Sequence, residues 1–222
     1  MLVEHIIPLG FFTQLHSPPQ TFEERPLKEL YLSLSECSRY TQFEILPGGQ
    51  GAILREADRR ACEIHSDRVA IKEQPTQRTF EEYVEQVIPT LAEIKRRLGI
   101  PVWMLQQTNL RFLLPFDMAV QPALREHLYN ISDSALERFG RPVLGLCLRI
   151  EFPPLPEDPT QLQLRIEPYF REPRRLYLEL NSRFLQPIQN PEDLRARLMS
   201  AYDFLRERSV SFLQEVFNRA EG

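Results

Sequence analysis

The stretch TFEEYVEQVIPTLAEIKRRLGIPVWMLQQTNLRFLLPF, Thr79 to Phe116, decides the fold. It reads as one long amphipathic helix, a tight stop and a strand. Thr79 and Glu82 have the spacing of a capping box, in which each side chain satisfies an orphan amide at the helix start. Phe80, Tyr83, Val84, Val87, Ile88, Leu91, Ile94 and Leu98 then recur at steps of three and four, which places one apolar stripe on one helix face. Glu81, Glu82 and Glu85 open the helix and Lys95, Arg96 and Arg97 close it, the order that the helix dipole favours. Gly99 suits a C-terminal cap, with Pro101 just beyond it. Met104 to Leu114 follows as a strand. Each side chain of such a stripe contributes roughly 1.5–3 kcal/mol on burial, before entropy. The unit is therefore expected to form a core.

Working outward, the C-terminal part carries a strong β pattern. Leu146, Leu148, Ile150 and Phe152 alternate with Cys147, Arg149 and Glu151. Leu162, Leu164 and Ile166 alternate with Gln163, Arg165 and Glu167, and Leu176, Leu178 and Leu180 with Tyr177, Glu179 and Asn181. Period-two alternation means one buried face and one polar face. The proline-rich joins Pro153–Pro159 and Arg171–Arg175 suit hairpin loops, so the segments Leu146–Phe152, Gln161–Phe170 and Leu176–Phe184 predict a three-stranded antiparallel meander. A last helix is expected over Pro191–Phe217. Asn190 is its N-cap, Pro191 its first residue, and Leu194, Leu198, Ala201, Leu205, Phe212 and Val216 are its stripe.

Before the central helix, Leu2 to Leu15 suits a strand, with a bulge or kink at Pro8 and Gly10. Leu27 to Ser38 suits a helix whose apolar face is Leu27, Leu30, Tyr31 and Leu34. Phe43, Ile45 and Leu46 suit a short strand, ended by the turn Pro47-Gly48-Gly49. Gln50–Arg60 and Arg60–Glu73 read as two strands. Val120–Tyr129 and Ser132–Phe139 read as two short helices, the second stopped by Gly140. The reading is one α+β domain over 1–222, a mainly antiparallel sheet packed against two long amphipathic helices. The halves 1–116 and 117–222 share an outline of strands followed by a long helix, without a residue-level repeat.

Bulk properties bound the function classes. A chain of 222 residues, 42% hydrophobic and 26% charged, is long enough for a sizeable core. A formal charge of −4 gives no general electrostatic reason to expect nucleic acid or an anionic membrane. No run approaches the length of a membrane-spanning helix. Met1 to Phe12 lacks the basic n-region of a signal peptide. Cys37, Cys62 and Cys147 stand far apart with no metal or redox spacing, which suggests three buried thiols in a reducing compartment. A cytoplasmic protein is expected.

The order Lys95-Arg96-Arg97-Leu98-Gly99, then Asn109-Leu110-Arg111-Phe112, then Ile131-Ser132-Asp133, then a C-terminal helix rich in Leu and Phe, resembles a sporadically distributed family of uncharacterised bacterial and archaeal proteins of similar length. That family tends to show a Gly-Leu-Arg-Tyr-x-Asn run on the equivalent strand. Leu110-Arg111-Phe112 matches Leu-Arg-Tyr. Asn109 replaces the glycine, and Leu114 stands where the asparagine would be. The resemblance spans most of the chain and implies no activity.

Catalytic signatures are sparse. Glu63, His65 and Asp67 alternate, and on a strand they would share one face; a His-x-Asp pair can begin a two-histidine, one-carboxylate iron site. Its second histidine would have to be His127. No Gly-x-Ser-x-Gly occurs, and Gly48-Gly49-Gln50-Gly51 lacks the lysine of a phosphate-binding loop. No metal or cofactor is expected. Strand parity instead gathers a polar sheet face: Asn109, Arg111, Arg149, Glu151, Arg165, Glu167 and Glu179, with Tyr169 and Tyr177 for stacking. Cross-strand Arg–Glu pairs of this kind keep an exposed sheet soluble. They also suit a recognition surface in which Arg111, Arg149 and Arg165 clamp an anion or carboxylate. The mixed signs argue against a nucleic-acid footprint.

The expectation is a binding or assembly protein without catalysis, self-associating as a dimer through a sheet edge or face, with a protein or small-molecule partner. Two other readings stay open. One is a metal-assisted or hydrolytic enzyme using Glu63, Asp67 or Glu151. The other is a single-stranded RNA-binding module using arginines and tyrosines of the sheet.

Overall fold

A computed structural model describes residues 6–218. The fold is α+β, built on one nine-stranded antiparallel sheet. The strands are β1 (Ile7–His16), β2 (Gln42–Leu46), β3 (Gly51–Glu56), β4 (Arg60–His65), β5 (Arg68–Glu73), β6 (Leu105–Pro115), β7 (Leu148–Phe152), β8 (Thr160–Pro168) and β9 (Arg175–Phe184). Their order across the sheet is β2-β3-β4-β5-β1-β6-β9-β8-β7. The longer helices are α1 (Glu24–Ser38), α2 (Phe80–Arg97) and α5 (Pro191–Asp203); α3 (Val120–Ala123), α4 (Asp133–Glu137) and α6 (Val210–Asn218) are shorter. The part of the first expected strand at Leu2–His5 lies outside the described residues. Among the described residues no helix is long and apolar enough to cross a membrane.

The connection order recurs. A long strand (β1) leads to a helix, then to a meander whose last strand (β5) returns beside β1, then to α2. β6 leads in the same way through α3 and α4 to β7-β8-β9, with β9 returning beside β6, then to α5. β1 and β6 pair at the centre of the sheet, and α2 packs on α5.

The helix α2 forms for the reasons its sequence gives. Thr79 accepts from the Glu82 amide at 3.2 Å and the Glu82 carboxylate accepts from the Thr79 amide at 2.9 Å. At the other end, Gly99 adopts φ +64° and the Ile100 amide reaches back to the Lys95 carbonyl at 3.0 Å, which closes the last turn. The stripe from Phe80 to Ile94 is buried on the sheet. Phe11 of β1 meets Phe80 and Tyr83 with ring centroids 5.2 and 5.1 Å apart. Tyr83 donates its hydroxyl to Thr13 at 3.0 Å and to the Ile71 carbonyl at 3.2 Å, so a buried phenol is satisfied.

Three expectations need correction. Arg60–Glu73 is a hairpin of two strands, β4 and β5, turning at Ser66-Asp67. On the other side of β4, Gly51 of β3 has φ +136° and a Cβ there would stand 1.8 Å from the Ile64 carbonyl oxygen; only glycine lets β3 approach β4 there. Cys37 and Cys147 are exposed, and only Cys62 is buried. The C-terminal helix is not one regular element: a π-helical segment, Phe204–Ser209, separates α5 from α6. It changes the phase, so Ser209, Val210 and Leu213 are buried while Phe212 is 37% exposed.

Candidate functional site

Apart from the register shift between Pro8 and Gly10 in β1, the registers divide the strands into two faces. On one, Phe11, Leu110, Leu180, Leu164 and Ile150 run in a cross-strand row under the helices. On the other, the opposite parity aligns polar residues across β6, β9 and β8. Asn109 pairs with Asn181, and Asn181 with Gln163; Arg111 pairs with Glu179, and Glu179 with Arg165.

Glu179 is the centre of this face, its side chain only 13% exposed. It accepts a short hydrogen bond from the Tyr177 hydroxyl, and Asn181 donates to it at 3.1 Å. Arg111 places Nε 3.4 Å from its Oε2. Burial acts to raise the Glu179 pKa, but the hydrogen bonds from Tyr177, Asn181 and Asn109, with the Arg111 charge, overcome it and hold the carboxyl below its ordinary value. The Tyr177 phenol is pushed up, by burial first and then by its bond to Glu179. Asn109 donates to the Asn181 Oδ1 at 2.6 Å, and Arg111 donates to the Gln74 Oε1 at 2.9 Å. The Arg111 Nε is buried without a hydrogen bond of its own.

Beside this network lies a hollow of about 350 Å3, lined among others by Lys72, Gln74, Asn109, Arg111, Glu179 and Asn181. A second, of about 220 Å3, adjoins it and shares Gln107 and Asn181; it adds Glu151, Gln161, Gln163 and Arg183. The arrangement offers three cations, Arg111 and Lys72 at the first hollow and Arg183 at the second, and several amides around a fixed carboxylate. It can bind a polar or anionic group.

Of the residues expected at the site, the structure brings together Asn109, Arg111, Tyr177 and Glu179. Arg165 and Glu167 form a neighbouring pair at 2.7 Å, with the guanidinium 6.0 Å from the Tyr177 ring centroid. The Cys147 thiol and Glu167 both stabilise the Arg165 charge. Arg149 faces Arg165 across the β7–β8 register and stands exposed near the edge of the sheet, at the outer end of a cross-strand row that runs through Arg165 and Glu179 to Arg111. Glu151 accepts from Gln163 at 2.7 Å in the second hollow. Tyr169 lies past the end of β8, where its amide bonds to the Arg175 carbonyl at 2.9 Å.

Asn181, Gln163 and Gln107 belong to the site and were not among the expected residues. Their parity is readable from the alternation, but which of the polar positions meet depends on the strand order. Lys72 and Gln74 could be found only through the strand order, which brings β5 and its C-terminal extension to β6 across β1.

The carboxylates proposed for catalysis disperse. Glu63 and His65 share a face of β4, with Nε2 and Oε2 3.8 Å apart, but Asp67 sits in the turn and pairs with Arg68 at 3.1 Å. His127 packs on Phe217. Glu151 on β7 is six strand spacings from Glu63 on β4, about 29 Å. Among the described residues no group of three His, Cys, Asp or Glu side chains is placed to hold a metal ion.

Comparison with models of known protein families finds none that matches the chain, and comparison with curated proteins finds no match.

Proposed function

We propose that this chain is a non-catalytic binding protein that recognises a polar, anionic group on the uncovered face of its sheet, at Arg111, Lys72, Asn109 and Asn181. The observation carrying this reading is the Glu179 network. A nearly buried carboxylate, fixed by Tyr177, Asn181 and Arg111, orients those donors beside two connected hollows. A solubilising surface needs no such fixed geometry. Native mass spectrometry of the purified protein, before and after Arg111→Glu with Arg165→Glu, tests the reading. A retained anionic adduct that the variant loses is expected; Arg111→Gln, which sets no like charge opposite Glu179, should lose it too while staying folded. A wild type free of adduct, with no thermal shift from phosphate or small dicarboxylates, overturns it.

Self-association through the β7 edge is supported by a separate observation. If two β7 strands pair antiparallel about Ile150, Arg149 of one copy stands opposite Glu151 of the other, and Leu148 opposite Phe152. The edge is thus self-complementary. A dimer by sedimentation is expected, converted to monomer by Arg149→Glu and restored by Arg149→Glu with Glu151→Arg. A wild-type monomer, or a dimer insensitive to both changes, removes the reading. Exposed free thiols at Cys37 and Cys147 are in keeping with a reducing, cytoplasmic setting.

A further inference from the structure

The helix-bearing face of the sheet is covered unequally. In the first half, α1 lies over β2 and β3 and packs on α2, burying Leu27, Leu30 and Leu34. Beneath it Ala52, Leu54 and Cys62 have no exposed surface. Counted outward from the centre of the sheet, β7 corresponds to β3 and β8 to β4, and α5 corresponds to α2. In connection order α3 and α4 follow β6 as α1 follows β1, but by position in the sheet no described helix takes the place of α1. The segment between β6 and β7 carries α3 and α4, but the π-helical turn that extends α3, Leu124–Tyr129, packs on α6. Phe116 and His127 hold it there, 5.1 and 5.8 Å from the Phe217 ring.

The result is a groove of about 1030 Å3 between β7–β8 and α5. Its floor is Ile150, Phe152 and Leu162; its wall is Met199, Phe204 and Phe212. Ile150, Phe152, Met199 and Phe204 all keep exposed surface. The wall runs from Ala196 to Phe212, about 24 Å at 1.5 Å per residue, close to the length of the 15-residue α1. The rim is acidic: Glu157, Asp158, Asp203 and Glu207 are exposed carboxylates, against Arg197 and Arg208. Arg197 lines the groove with its guanidinium over the Phe184 ring, 3.4 Å from the centroid, which leaves the exposed carboxylates in the majority.

We infer that this groove receives a basic amphipathic helix from a partner protein. The helix takes the place that α1 occupies in the first half, with its apolar stripe on Phe152, Phe204 and Phe212. Its flanking lysines or arginines face Asp203 and Glu207. The place that α1 fills in the first half selects a helix, and the acidic rim selects its charge. The site lies on the opposite face from the Glu179 network and does not depend on it.

The test is fluorescence anisotropy of the full chain with a labelled, synthetic 16-residue amphipathic helix carrying leucines on one face and lysines on both flanks. A second peptide has glutamate in place of lysine. The lysine peptide is expected to bind about tenfold or more tightly than the glutamate peptide. Asp203→Lys with Glu207→Lys should reverse that order. Phe212→Ala should weaken the lysine peptide about tenfold while leaving the melting temperature nearly unchanged. Binding of neither peptide, equal binding of both, or binding indifferent to these variants overturns the inference. So does a wild-type dimer that Phe212→Ala makes monomeric, since a second copy would then fill the groove.

Discussion

Asn109 and Asn181 meet side chain to side chain across β6 and β9, the Asn109 amide donating to the Asn181 Oδ1 at 2.6 Å. Asn181 in turn donates to Glu179, so one amide couples the central strand to the fixed carboxylate. Asn109 is 7% exposed, and water replaces a lost partner poorly there. Asn181→Leu is expected to cost about 1–3 kcal/mol in urea unfolding, because it removes a partner of the Asn109 amide and a donor to Glu179. Asn109→Leu with Asn181→Leu should cost less than the sum of the single changes, since neither then leaves the other unpaired. Strictly additive losses would show that the two amides act independently.

A pH effect follows from Glu93, on the solvent side of α2. The Arg97 side chain, with help from Arg96 and Ser33 and against a smaller effect of burial, holds its carboxyl down to about 2, from an ordinary value of 4.5. A depressed carboxyl stabilises the folded state fully above the unfolded value and loses that contribution as pH falls from about 4.5 to about 2. Solvent screening of this surface cluster limits the gain to about 1 kcal/mol. Glu93→Gln should therefore be less stable than wild type at pH 6, with the gap closing towards pH 2.5. A gap that is constant with pH contradicts the assignment.

The three thiols should separate by reactivity. Burial pushes the Cys62 thiol up to about 12, and its side chain is out of reach of solvent. Cys37 and Cys147 are exposed. A colorimetric thiol titration at pH 8 is expected to count two in the native protein and the third only in denaturant. Three fast-reacting thiols would mean that the β3–β4 region opens readily.

Legibility in the sequence followed the range of the forces involved. The central helix was readable because its cap, stripe and stop are all local: Thr79, Glu82 and Gly99 lie within or beside the element they shape. The β7–β8–β9 meander was readable because alternation is also local, and short connections bring those strands together. The Arg111–Glu179 contact was half readable: parity put both residues on one face, but their adjacency depends on β9 returning to β6. Lys72 and Gln74 were not readable at all, since they reach the site through the pairing of β1 with both β5 and β6. The hairpin within Arg60–Glu73 was missed because Ser66-Asp67 is a turn without glycine or proline.

The C-terminal helix provides the sharpest contrast between pattern and structure. Leu194, Leu198, Ala201 and Leu205 step at the α period, and a regular helix would carry that stripe on to Phe212 and Val216. The π segment Phe204–Ser209 holds an extra residue in its turn and rotates everything beyond it. Leu213 consequently has no exposed surface, whereas Phe212 faces the groove. Leu213→Ala is expected to cost about 2–5 kcal/mol, as a cavity left in a packed core. Phe212→Ala should cost less than about 1 kcal/mol, although it removes more atoms. Urea denaturation of the two variants decides between the phases. If Phe212→Ala proves the more damaging, the helix runs without its π turn and the stripe read from the sequence is the buried one.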